Sequence, residues 1–144
     1  IDHAGVRNVA FDGTTSNGFT IAKNYLSIEE LFKHNPDVII INGGGVLDYI
    51  EDSPQLHNLK AYRDGNIHLL PLGVTRWGHP YSIETPLALL WTAKTVYPER
   101  FGDVDMEAET RRFYRDFFSY ELSDTQLKKI LSGRGYKEIK GSGR

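Results

Sequence analysis

The stretch Asn35-Pro36-Asp37-Val38-Ile39-Ile40-Ile41-Asn42-Gly43-Gly44-Gly45 constrains this chain more than any other. Val38 to Ile41 form an unbroken β-branched apolar run without polar alternation. A strand of that kind needs both faces covered, as in a parallel sheet lying between layers of helices. Pro36 moves Asn35 out of helical geometry and so ends the element before it. Gly43, Gly44 and Gly45 predict a sharp turn at the strand's carboxyl end, with bare backbone brought up to a neighbour or a ligand. In open α/β sheets ligands sit outside the carboxyl ends of strands, so the working face is expected beside Asn42–Gly45.

The flanking patterns supply the rest of such a sheet. Val6 to Phe11 suggest a first strand, followed by a polar loop over 12–18 and a connector anchored by Phe19 and Ile21. Ser27-Ile28-Glu29-Glu30 is a capping box, and Ile28, Leu31 and Phe32 give the next helix one apolar stripe. Val46 to Ile50 read as a helical turn, Ser53-Pro54 starts a helix carrying Leu56 and Leu59, and Asp64-Gly65-Asn66 turns into a third strand over Ile67–Leu72. A long apolar helix runs from Glu84-Thr85-Pro86 to Val96, and Asp105 and Ser123 cap two more. The phenyl and phenol rings of Phe113, Tyr114, Phe117, Phe118 and Tyr120 are expected in the core rather than around a cofactor. Three strands with about five helices predict the α/β class, a three-layer Rossmann-like lobe whose mostly parallel sheet is flanked by helices.

Composition removes several function classes. At 144 residues the chain is one domain's worth, and a net charge of −2 leaves no footprint for nucleic acid. The absence of cysteine excludes thiolate metal sites and a cysteine nucleophile. No apolar run approaches a membrane span of about 20 residues. Ile1-Asp2-His3-Ala4-Gly5 reads as the end of a helix closing on a glycine, as if the chain were cut from a longer protein.

The loop Gly73–Ser82 holds the strongest candidate site. Arg76 offers a forked cation for anionic oxygens, Trp77 and Tyr81 offer flat apolar faces, and His79 offers a proton switch or a ligand. Asn42 and Gly43 stand at the neighbouring strand end. Gly43–Gly45 could also cradle a phosphate, yet neither G-x-G-x-x-G nor the Lys-Ser/Thr of a P-loop is present. His3, His34, His57, His68 and His79 show no metal-ligand spacing, and G-x-S-x-G and H-E-x-x-H are both missing. Glu84, at a helix start, is either a favourable partner of the helix dipole or a surface carboxylate offered to a partner's arginine.

Taken in order, A-G-V-R-N-V-A at 4–10, S-I-E-E-L-F-K-H-N-P-D-V-I-I-I at 27–41, W-G-H-P-Y-S-I-E-T-P-L-A-L-L-W-T-A-K at 77–94, Y-P-E-R-F at 97–101 and F-Y-R-D-F-F-S-Y-E-L-S at 113–123 resemble the C-terminal lobe of the iron-chelate/cobalamin class of ABC importer substrate-binding proteins. The resemblance implies two α/β lobes joined by a rigid helix, with a ferric siderophore, haem or corrinoid held in the cleft between them. It implies a binding protein, not an enzyme, with no resident cofactor. Residues 1–133 would form the lobe, with the N-terminal lobe absent, and 134–144 a basic, glycine-rich tail. Arg76, Trp77, His79, Tyr81, Asn42 and Gly43 would line the cleft. Glu84 would meet an arginine of the ABC permease. The full-length protein would be periplasmic or extracellular, anchored as a lipoprotein. Two rivals stand beside this reading: a nucleotide- or phosphate-binding domain or enzyme using Gly43–Gly45, and a lobe that self-associates as a homodimer.

Overall fold

A computed structural model describes residues 4–9, 27–79 and 81–134. Helix α1 (Ile28–His34) starts where the capping box places it. Ser27 Oγ accepts the Glu30 N–H at 3.1 Å, and the Glu30 carboxylate accepts the Ser27 N–H at 2.9 Å. Such a cap is worth about 1 kcal/mol. The helix stops before Pro36, with Asn35 left-handed at φ 39° and its side-chain oxygen accepting the Lys60 N–H at 3.1 Å.

Strand β1 (Ile39–Ile41) pairs in parallel with β2 (Ile67–Leu69), Ile39 opposite Ile67 and Ile41 opposite Leu69. The Leu70 N–H donates to the Ile41 carbonyl at 2.8 Å and carries the pairing one step further. Between the strands run α2 (Gly44–Glu51), a 3₁₀ turn (Pro54–Asn58) and α3 (Lys60–Arg63). After them come α4 (Thr85–Val96), α5 (Met106–Phe118) and α6 (Asp124–Leu131). Asp105 Oδ1 accepts the amides of Glu107 and Ala108 to cap α5, and a Ser123–Gln126 capping box starts α6.

Side-chain alternation along the strands separates the two helical layers. Ile39, Ile41, Ile67 and Leu69 face a core built with Ile50, Leu56 and Leu59, closed by Leu31 and Phe32 of α1. Ile40 packs on the other side, against Leu70, Trp77, Leu87, Phe113, Leu127 and Ile130. His68 shares that side, its ring edge-on to Trp91 at 6.5 Å. The α/β three-layer arrangement expected from the isoleucine run is therefore present. Burying one such large apolar side chain stabilises the fold by about 1.5–3 kcal/mol.

Several expectations change. Residues 6–9 form no strand, and Phe11, the loop 12–18, Phe19, Ile21, residues 1–3 and the tail 135–144 lie outside the described residues. Helix α2 begins at Gly44, so two of the three glycines form its first turn and do not lie in a loop. None of the three has a positive φ: Gly43 is extended at −173°. Ile39 and Ile40 are half-buried, since each of the two described strands has one neighbour only. Phe113 and Tyr114 are in the core, but Phe117 is 67% exposed and Tyr120 46% exposed. Among the described residues no helix is long and apolar enough to cross a membrane.

Candidate functional site

Parallel pairing in register sends the carboxyl ends of β1 and β2 out on the same side of the sheet. The chain leaving β1 enters α2 through Asn42 and Gly43. The chain leaving β2 runs through Leu72 and Gly73 and doubles back, with Leu72 bridged to Arg76 in antiparallel fashion and the Gly73 N–H donating to the Thr75 carbonyl at 3.1 Å. This return brings the Arg76 guanidinium to the other strand exit, where Nη1 donates to the Asn42 carbonyl at 3.0 Å. The Val46 N–H donates to the Gly43 carbonyl at 3.1 Å, whereas the amides of Gly44 and Gly45, at the first two positions of α2, have no acceptor within the helix, and Gly43 supplies no side-chain cap. A Cβ placed at Gly44 or Gly45 would meet nothing within 4 Å, so this turn faces open space.

A cavity of about 320 Å³ lies there, lined by Asn42, Gly43, Gly44, Gly45, Asp48, Arg76 and Arg134 among others. The Leu72 N–H donates to the Ile130 carbonyl at 3.0 Å, tying the end of α6 to the strand exit and bringing Gly133 and Arg134 to the rim. Among the described residues Arg76 enters no ion pair. Two guanidinium groups, one carboxylate and the positive end of a helix dipole give the cavity an anion-attracting field. Among the described residues no group of three His, Asp or Glu side chains is placed to hold a metal ion.

The sequence-derived site residues divide. Arg76, Asn42 and Gly43 meet as expected. His79 and Tyr81 are exposed, Tyr81 at 72%, with ring centroids 5.8 Å apart, and the Tyr81 N–H donates to His79 Nδ1 at 3.3 Å. Trp77 does not offer a face to a ligand: it is 1% exposed and packs among Leu70, Leu87 and Phe113. Arg76 and Trp77 are successive residues, and with Arg76 turned to solvent the indole turns inward.

Glu84 is not a surface carboxylate either. It is 0% exposed. Its Oε2 accepts the Thr75 N–H at 2.8 Å and the Thr75 hydroxyl at 3.2 Å, and its Oε1 accepts the Val74 N–H at 3.3 Å and the Tyr114 hydroxyl. A carboxyl group ringed by donors of its own domain has nothing left for a permease arginine, so that contact is withdrawn. Its backbone still serves as the N-cap of α4.

No protein-family model matches the chain. It is 32% identical over 120 residues to the molybdate-binding protein MolA of Haemophilus influenzae, an alignment covering 82% of this chain and 32% of MolA. An ABC transporter solute-binding protein from Sulfurospirillum deleyianum superposes with a TM-score of 0.67 at 28% identity, over 73% of this chain and 32% of that one. A periplasmic solute-binding protein from Veillonella parvula gives 0.62 at 29% identity, over 73% and 33%. MolA bound to molybdate gives 0.57 at 29% identity, over 67% and 30%. The relatives are solute-binding proteins, and MolA and the Sulfurospirillum protein serve ABC transporters. They are not enzymes, and the α/β fold is theirs.

The chain spans about a third of the length of these relatives. These relatives agree with the class expected from the resemblance at the level of the solute-binding protein. They give no support to the iron-chelate/cobalamin subtype, since the relative whose solute is named binds molybdate. Sequence reading passed over Arg134, placed at the start of a tail, and Tyr114, placed in the core without a task. A tyrosine on a helix stripe otherwise filled by phenylalanine was the available signal, because a buried phenol needs a partner for its hydroxyl.

Proposed function

We propose that this chain is one lobe of a periplasmic solute-binding protein, and that it contributes half of a cleft for a small oxyanion of the molybdate type. The observation that carries the reading is the Arg76 guanidinium, held on the Asn42 carbonyl beside the open first turn of α2. Helix N-termini and arginine forks are the two protein groups best matched to tetrahedral oxyanions. The similarity to MolA points the same way. The partner in transport would be an ABC permease, met through a surface other than Glu84.

A second reading keeps the metal chelate: a ferric siderophore, haem or corrinoid. It is favoured by one observation, the exposed His79 and Tyr81 rings at the mouth of the same loop, which offer a flat chelate a stacking surface. Titration of the ¹⁵N-labelled chain separates the readings. Millimolar sodium molybdate is expected to shift the Gly44 and Gly45 amides and the Arg76 Nε–H resonance. Sodium phosphate and ATP should move them less, since a matching phosphate response would favour a phosphate-binding domain. Haemin or a ferric hydroxamate acting on Tyr81 and His79, with molybdate inert, would favour the chelate. No movement at residues 42–45 or 76 with any of these ligands would overturn the site.

A further inference from the structure

Glu84 is a fully buried carboxyl group that neither reading of the solute uses. An ionised carboxylate is costly to bury unless its oxygens are satisfied. None of the ion pairs among the described residues involves Glu84, so its partners are dipoles alone: two backbone amides and two hydroxyls. Both amides belong to Val74 and Thr75, the two residues immediately before Arg76. The donors are themselves supported. Thr75 Oγ1 and Ser82 Oγ are 2.6 Å apart, and Ser82 Oγ accepts the Glu84 N–H at 3.1 Å. A Cβ at Gly73 would lie 1.8 Å from Glu84 Oε1 and 2.3 Å from the Tyr114 hydroxyl, so the carboxyl group occupies the space where that side chain would stand.

These contacts hold the loop from inside the domain, where Glu84 is fully buried, while Arg76 is exposed. We infer that Glu84 is a positioning residue for the anion site: through the amides of Val74 and Thr75 it holds Arg76 over the first turn of α2 without touching the solute. The inference rests on the oxyanion reading for its consequence, but its structural half stands apart from it. A guanidinium already in place spares the solute the cost of ordering the loop and side chain, and losing that preorganisation is expected to weaken binding roughly tenfold.

The test is Glu84→Gln, which keeps the volume but turns an amide NH₂ toward one of the donors. In the absence of solute, ¹⁵N relaxation of the Val74, Thr75 and Arg76 amides and of Arg76 Nε is expected to show increased fast motion. Molybdate affinity should fall about tenfold. Leu56→Ala, a truncation in the separate core on the other face of the sheet, is expected to lower stability and leave the Arg76 signals ordered. If it loosens Arg76 equally, the effect is general and the proposal falls. If Arg76 stays ordered in Glu84→Gln, the proposal falls whatever happens to affinity. If Arg76 loosens but molybdate fails to bind even the unaltered chain, positioning stands and the oxyanion reading is lost. Should Glu84→Gln not fold, Tyr114→Phe removes one of the four donors, and with it a hydroxyl that the Val74 N–H also reaches at 3.2 Å. A smaller loosening at Thr75 and Arg76 is then expected, and its absence would overturn the inference.

Discussion

Replacing Trp77 by alanine tests the reassignment of that residue from ligand face to core. The indole is 1% exposed and touches both α4 and α5 residues. Truncating a buried tryptophan to alanine removes its transfer free energy and leaves a cavity, at a cost of about 3–5 kcal/mol. For a domain of this size that is a fall in midpoint of roughly 10–15 °C. The indole nitrogen adds a further handle, because Nε1 is buried with no hydrogen-bond partner among the described residues. A buried donor left unpaired costs about 1–3 kcal/mol. Trp77→Phe deletes that donor while keeping an aromatic ring in place, so its destabilisation should be at most about 2 kcal/mol, below that of Trp77→Ala. Urea unfolding followed by circular dichroism measures both. A Trp77→Ala loss below about 1 kcal/mol, together with loss of the molybdate-induced shifts, would return the indole to the binding face and refute its placement.

Arg76→Ala should weaken molybdate binding by roughly ten- to a hundredfold, the range of a hydrogen bond to a charged group, and calorimetry that finds no change removes Arg76 from the site. Gly73→Ala should destabilise by about 1–3 kcal/mol or more, since its methyl carbon would fall within 1.8 Å of Glu84 Oε1; a variant as stable as the parent would mean the loop moves freely. His68 titrates below its ordinary range because burial disfavours the imidazolium. The unfolded chain therefore binds more protons as pH falls below about 6.5, so stability is intact above that value and is lost on acidification toward the folded value. His68→Phe should flatten this part of the stability–pH curve between pH 7 and 5, and an unchanged slope would place the titrating group elsewhere.

The layered core was legible because it is written in local patterns. Four adjacent β-branched residues ended by Pro36 on one side and glycine on the other admit few alternatives, and the capping boxes at Ser27 and Ser123 set helix starts to the residue. The meeting of Arg76 with Asn42 was legible too, because parallel strands put their exits on one face. The depth of a side chain within a loop was not. Arg76, Trp77, His79 and Tyr81 look equivalent in a list, yet the backbone sends Trp77 inward and leaves its neighbours out. Glu84 misled for a related reason. A glutamate beside a helix start is usually solvated, and only the return of the 73–76 loop, stabilised by the distant Tyr114, gives it donors enough to be buried. Arg134 reaches the site through the contact of Leu72 with Ile130, which no local pattern encodes.

The most direct measurement is anomalous diffraction at the molybdenum edge from crystals of the protein grown with molybdate. The expected result is a single strong peak within hydrogen-bonding reach of the Gly44 and Gly45 amides and the Arg76 guanidinium. A peak at another surface, with those three groups unengaged, would contradict the assignment of the anion site to the paired strand exits.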